Sequence, residues 1–326
     1  TGSTVNTDMS NAGTMNIYGT NALNGALTTQ AGSKITVMGH GASYGSNAYD
    51  SGLVVANGFT NNGEIELSHD NDYYYYCYNP RNAYVTVSSG TLVNAAGGSI
   101  NSLVGYCSQG QGTRNLYAQV DNQGTITTSY PLTINKGSAA HVNSGTITVN
   151  ADLTINQSGT SPSFTNNGAI TISSGKTMSV SGGTFTQNGG ELSGAGQLSL
   201  SSLTAALFNT GFNIGTLTLN GVPTTAFKAG FTAGTLNLTN VTAIIPSGTS
   251  LGTVNLNTTT AGLPAGTNMT ALNLTNSTVT LSEDLNTTTT SLSANGSTIN
   301  GSGLRITNAA GKIINLTGST VNTGFA

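Results

Sequence analysis

The side chains able to do chemistry are few, and they crowd most densely into two irregular stretches of the 326-residue chain. Residues 68–84 read SHDNDYYYYCYNPRNAY, and residues 103–116 read LVGYCSQGQGTRNL. In the first stretch, His69-Asp70-Asn71-Asp72 offers hard oxygen ligands of the kind calcium takes, with Asp70 and Asp72 as the candidate pair. The competing reading, a polar turn at the base of a loop, is the one we favour. Glu64 and Glu66 bracket Ile65, so both carboxylates should leave one strand on the same outward side and extend that acidic patch. Each stretch also carries one of the two cysteines, Cys77 and Cys107. In an oxidising compartment they form a disulfide tying the stretches together; the alternative is two buried thiols. Tyr73, Tyr74, Tyr75, Tyr76 and Tyr78, with Tyr106 in the second stretch, make a candidate binding surface, because tyrosine faces stack on sugars and on partner proteins. The plainer reading has half of these tyrosines packing the stretches onto the body of the protein. Metal ligation through His40, His69 and His141 is not expected. His141 occupies a place that Phe59, Val120 and Phe164 fill in sister phrases, which makes it a packed residue. No cofactor is expected.

The elements that must position these residues are short repeated phrases. Gly234–Asn240 reads GTLNLTN, and looser copies stand at Gly215–Asn220, Gly252–Asn257, Thr270–Asn276 and Lys312–Thr317. In each, two aliphatic residues flank one small polar residue, the pattern of a strand with one buried and one wet face. Earlier in the chain a second phrase, Asn-x-Gly-x-Ile, recurs with Ile126, Ile147 and Ile170 some 21 to 23 residues apart and Leu192 following. An asparagine stands four places before the aliphatic residue at Asn61, Asn122, Asn143, Asn166 and Asn188. Asn and Gly tolerate φ > 0, so a left-handed or tight turn before each strand is the expected reason. Companion strands such as Leu132–Ile134 and Leu153–Ile155 lie between the copies. A strand of five residues is not stable alone, so the copies must stack.

The architecture expected is therefore all-β, a right-handed parallel β-helix (β-solenoid) with about 18 to 23 residues per rung. Residues 1–200 form rungs of about 20 to 23 residues interrupted by insertions at 68–84 and 103–116. The register changes over residues 201–214, where Leu203–Phe208 reads as a short helical turn. Residues 215–326 continue the same solenoid with rungs of 18 to 20 residues. Inward columns of Ile126, Ile147 and Ile170, and of Leu217, Leu236, Val254 and Leu272, carry most of the stability. Outward, Thr125, Thr146 and Thr216, and Asn237, Asn255 and Asn273, should stack as polar ladders.

Composition narrows the function classes. Only 6% of residues are charged and the net charge is −3, against roughly a quarter charged in ordinary soluble domains. Nucleic acid, which needs a basic stripe, is not an expected partner, and no apolar run is long enough for a membrane helix. A surface of hydroxyls and amides fits an extracellular, protease-exposed object. The heptapeptide TGSTVNT occurs both at Thr1–Thr7 and at Thr317–Thr323. Open strand edges there would serve self-association end to end, or would meet flanking repeats of a longer chain.

The Asn-x-Gly-Thr-Ile and Leu-Thr-Ile phrases resemble the passenger regions of bacterial autotransporters and of filamentous-haemagglutinin-like secreted adhesins. The resemblance covers most of residues 59–200 and, more loosely, 215–326. It implies a cell-surface location and an adhesive or fibre-forming role without a common catalytic site, with host or cell-surface glycans and proteins as partners. Asn6-Thr7-Asp8 and Gly39-His40-Gly41 look like polygalacturonase signatures, but the paired aspartates of that family have no counterpart between residues 8 and 39, and inverting hydrolysis needs two carboxylates. A non-enzymatic role is accordingly expected, with carbohydrate binding or cleavage as the alternative. Ice binding, raised by the pairs Thr125/Thr127, Thr146/Thr148 and Thr216/Thr218, ranks last because the pairs do not persist on one face.

Overall fold

A short strand with aliphatic side chains at alternate positions hides one face and leaves its backbone amides in need of a neighbour. In the computed structural model of the chain, the next copy of the phrase is that neighbour. The structure describes residues 2–41, 48–71, 81–105 and 111–325, with Asn71 described by its backbone alone. The strand ladders are parallel and in register. They stack as a β-solenoid of about 14 turns, with no helix among the described residues. The chain divides into two compact units, Thr1–Val180 and Ser181–Ala326, and each is such a stack.

In the first unit the inward column runs Met15, Ile35, Ile65, Ile100, Ile126, Ile147, Ile170, each in register with the next. From Ile35 onward every member is 0–1% exposed. A second inward column runs Leu53, Val85, Leu116, Ile134, Ile155. Each such buried aliphatic contributes roughly 1.5–3 kcal/mol. The steps from 126 to 147 and from 147 to 170 are 21 and 23 residues. The steps 35 to 65, 65 to 100 and 100 to 126 are 30, 35 and 26. The extra residues fall between strands in the chain, and the ladder stays in register across them. Three rungs are stretched in this way; sequence spacing had marked only two.

The asparagines of the Asn-x-Gly phrase do not make left-handed turns. Asn61, Asn94, Asn122, Asn143 and Asn166 end strands, none has positive φ, and all are 0–1% exposed. Their amides form one internal chain. The Nδ2 of Asn61 donates to Asn94 Oδ1 (2.9 Å), Asn94 to Asn122 (2.7 Å), Asn122 to Asn143 (2.7 Å) and Asn143 to Asn166 (2.6 Å). Each Nδ2 also reaches backbone carbonyls at its own corner, as Asn61 does at Gly63 (3.0 Å) and Asn166 at Gly168 (3.0 Å). The glycine of the phrase has a steric reason. A Cβ on Gly145 would overlap the Gly124 carbonyl oxygen, and one on Gly168 would overlap that of Gly145. Asn94 belongs to this ladder although it stands six residues before Ile100, because its corner holds two more residues than the others.

The second unit fills the equivalent corner differently. Gln187, fully buried, pairs in register with Phe208, and Phe208 with Phe227; Asn188 is exposed. Phe208 and Phe227 stack at 5.1 Å, and Phe212 and Phe231 at 4.8 Å. The expected helical turn at Leu203–Phe208 is instead the strand Ala205–Phe208, paired to Thr184–Gln187 and Thr224–Phe227. Its aliphatic and aromatic residues alternate inward like those of any other rung.

Further along, the inward column is Leu198, Leu217, Leu236, Val254, Leu272, Leu292, Ile314. Left-handed corners do occur here, just after the strand: Asn240, Thr258, Asn276, Gly296 and Gly318 have φ between 48° and 59°. Beside them runs a hydroxyl staircase. Thr259 N–H donates to Ser277 Oγ (3.1 Å), Ser277 N–H to Ser297 Oγ (3.1 Å) and Ser297 N–H to Ser319 Oγ (3.1 Å). On the outer face the expected amide ladder is present. Asn273 Nδ2 donates to Asn255 Oδ1 (2.9 Å), Asn255 to Asn237 (2.8 Å), and Asn237 to Thr218 Oγ1 (3.1 Å).

The two amide ladders differ in burial and should differ in worth. Asn143→Ala removes the acceptor of one buried amide and the donor of another, which costs about 2–4 kcal/mol. Asn255→Ala, half-buried and open to replacement by water, costs about 1 kcal/mol or less. Urea unfolding of the two variants beside the parent measures this contrast, and equal losses would contradict the inner ladder's role.

Candidate functional site

The insertions leave the solenoid where its core turns polar. The strand Glu64–Asn71 keeps Ile65 and Leu67 inward and then places His69 inward as well, 2% exposed. Two rungs on, the strand Arg114–Asn122 begins with Arg114, 1% exposed, at the position that Ala83 and Leu132 occupy in its neighbours. Arg114 Nη1 donates to the Gln111 carbonyl (2.6 Å), and Nη2 to Gln111 Oε1 (3.3 Å) and to the Leu103 carbonyl (3.4 Å). The guanidinium lies 4.6 Å from the Tyr130 ring centroid, a cation–π contact. Among the described residues no carboxylate pairs with it. Burial pulls it down to about 10 from its ordinary value. Gln111 Oε1 also accepts from Gly105 N–H (2.6 Å). Arg114 and Gln111 thus pin both ends of the second insertion to the core.

The exits of three successive rungs are tied in the same way. Asn82 donates from its backbone N–H and its Nδ2 to the Asp50 carboxylate (2.9 and 3.1 Å). Asn82 Oδ1 in turn accepts from the N–H and hydroxyl of Thr113 (2.9 and 2.8 Å). A polar step thus runs Asp50, Asn82, Thr113 along the base of the insertions.

His69 is held at about 4, first by burial and then by the charge on Arg114; Asp70 opposes the shift and His40 adds to it. Both of its ring nitrogens are buried without a hydrogen-bond partner. His141 also sits at about 4, through burial alone. Its Nδ1 accepts from Val120 N–H (3.2 Å), and its ring pairs in register with Phe164. It is a packed residue, as its place in the phrase implied. His40 stacks on Tyr49 at 4.9 Å.

The acidic residues do not gather. Glu64 and Glu66 leave the strand outward as expected, but Lys34 bridges them at 3.5 and 2.6 Å, and Asn101 Nδ2 donates to Glu64 (2.9 Å). Asp70 lies with Met38, Glu66, Ser68, His69 and Val104 around an open cleft of about 440 Å³. Among the described residues no group of three or more His, Cys, Asp or Glu side chains is placed to hold a metal ion. Asp72, Tyr73, Tyr74, Tyr75, Tyr76, Cys77, Tyr78, Tyr106 and Cys107 lie outside the described residues. Asp8 spends one carboxylate oxygen on Ala26 N–H (2.8 Å), and Asn6 Oδ1 accepts from Asn24 (2.6 Å); both are rung-to-rung contacts. The threonine pairs break after two rungs, since Thr146 is followed in register by Ala169.

Sequence reasoning overlooked Arg114. Arg114 had a signal: it stands in phase with Leu116, Ala118 and Val120, the inward residues of its strand. Tyr84 and Tyr117 belong by sequence to the same tyrosine-rich region as Tyr73–Tyr76, but their pairing on one sheet face has no local signal, because the two residues stand 33 positions apart. Tyr84 lies on the outer face with its hydroxyl 2.7 Å from Thr20 Oγ1, and its ring is 6.0 Å from that of Tyr117 at 65°. Comparison of the chain with protein-family models, with curated proteins and with solved structures returns no match.

The buried histidines set a pH dependence. Each is neutral in the fold down to about 4 and titrates near 6.5 when unfolded. Their contribution is therefore complete above the unfolded value and is lost as pH falls through the interval between the two. Between pH 7 and pH 5 the burial of His141 costs about 2 kcal/mol of stability, at about 1.36 kcal/mol per pH unit, and His69 adds a loss of the same sign. His141→Phe, which installs the residue of the next rung, should remove the His141 share of that loss in urea unfolding of the first unit. An unchanged pH profile in the variant would contradict this assignment.

Proposed function

We propose that this chain is a non-enzymatic, extracellular structural or adhesive β-solenoid, part of a cell-surface adhesin or of an end-to-end stacked filament. One observation carries the reading: the polar side chains are committed to rung-to-rung ladders. Asn61 through Asn166 inside, Asn237 through Asn273 outside, and the Thr259–Ser319 staircase all spend their hydrogen bonds along the stack. Such a body gains stability with each rung added, which suits a spacer or fibre. The nearly uncharged hydroxyl and amide surface and the resemblance to autotransporter and haemagglutinin-like passengers support the same reading. The filament form would join the edge at Thr1–Thr7 to that at Thr317–Thr323. Beside the latter, Leu316 and Phe325 are 41% and 55% exposed, a surface that another parallel rung would cover.

Electron microscopy across a concentration series, paired with adhesion of the labelled protein to cells and to coated surfaces, tests the proposal. Strings of rods or retained protein are expected, and Leu316→Glu should shorten any strings by placing charge on the edge. Discrete monomeric rods that adhere to nothing would overturn it.

A further inference from the structure

Two columns of outward side chains cross the sheet face made by strands Thr20–Leu23, Ser51–Val55, Ala83–Asn94, Arg114–Asn122 and Leu132–Asn135. One runs Thr20, Gly52, Tyr84, Asn115, Thr133. The other runs Ala22, Val54, Thr86, Tyr117. Neither column contains a charged residue, and the two tyrosines stand one rung apart near the middle. Tyr84 does not point straight out. Its ring lies back across Gly52, where a Cβ would overlap it, and its hydroxyl meets Thr20 Oγ1 two rungs away. Tyr117, at 65° to that ring and 37% exposed, stands beside it. The pair makes a floor and a wall.

We infer that this face is a binding platform for a neutral polysaccharide, with Tyr84 and Tyr117 as its stacking residues. The inference rests on the adhesive reading above and names the chemistry of the surface it would grip. A pyranose ring has an apolar C–H face and a rim of hydroxyls. The C–H face packs on the Tyr84 floor and its edge against Tyr117, whose aromatic bodies are held in place before the ligand arrives. Thr86, Asn115 and Thr133 flank the tyrosines with hydroxyl and amide groups suited to a hydroxyl rim. None of these positions carries a cation, and the ammonium at the edge of the face, Lys136, is engaged by the Val87 and Ser88 carbonyls (2.8 and 3.0 Å), which favours a neutral polymer over an anionic one. Successive rungs extend the polar face in one direction, which matches a linear chain of sugars better than a single one.

Co-sedimentation of the full chain with insoluble cellulose and chitin, and titration with soluble neutral β-glucan and dextran, test this. Polygalacturonate serves as the anionic comparator. The chain has no tryptophan and twelve tyrosines, so the part of a tyrosine-fluorescence change that Tyr117→Ala abolishes reports on the platform. At least one neutral polymer should bind, with affinity unchanged by added salt. Tyr117→Ala should weaken it tenfold or more at an unchanged melting temperature, whereas Tyr84→Phe, which keeps the ring, should retain it. Absence of binding to every neutral polymer, a Tyr117→Ala variant that binds like the parent, or preference for polygalacturonate would each overturn the inference. Filaments that form without glycan binding would sink the platform and leave the structural reading standing. Glycan binding by a chain that forms no strings and adheres to nothing else would do the reverse.

Discussion

Parallel stacking in register places each residue about 4.8 Å from its counterpart in the next rung, and the rest of the structure follows from that repetition. A side chain must tolerate its own kind above and below. Aliphatic residues do so by packing, phenylalanines by stacking, and amides by donating to one neighbour while accepting from the other. Charges do not, because like would stack on like. The ion-paired cluster among the described residues bears this out, since Lys34 pairs in register with Glu64 rather than with another lysine. The scarcity of charge is thus a condition of the fold before it is a clue to function.

The same constraint explains why the inner corner is built in two ways. In the first unit an unbroken chain of buried amides meets both its donors and its acceptors, so the desolvation cost of five asparagines is offset by hydrogen bonds within the column. In the second unit Phe208 and Phe227 fill that position with apolar surface and need no partners. Both solutions are self-consistent; alternating them rung by rung would leave amides unpaired. The insertions obey a similar rule. They fall between strands in the chain, their described flanks are tied by Asp50, Asn82 and Thr113, and the core admits Arg114 only because backbone carbonyls and the Tyr130 ring receive it.

Much of this was legible in advance. The alternation in Leu236–Asn240 and Ile147–Val149 gave the strand, the spacing gave the rung, and matching phrases gave the register of Ile126 on Ile147 on Ile170. Other features were hidden for identifiable reasons. Asn94 escaped notice because two extra residues in its corner shift it away from Ile100. In the second unit the buried amide is Gln187 and the phrase's own Asn188 is exposed, a slip of one residue that exchanges the inside for the outside. Leu203–Phe208 looked helical because its apolar residues run together, yet pairing on both sides makes it a strand.

The sequence by itself determined the solenoid, the length of its regular rungs and its inward columns, because periodicity is a property of the chain and a strand of period two has only two faces to offer. Only the tertiary structure decided what the polar residues do. Whether an asparagine turns a corner or hydrogen-bonds to the next rung depends on what lies above it, and that neighbour is some twenty residues away. The insertions that first drew attention proved to be one part of the story. Their bases enclose Arg114 and His69, while the aromatic pair open to a ligand, Tyr84 and Tyr117, stands on the regular sheet, brought together because residues more than thirty positions apart share one face.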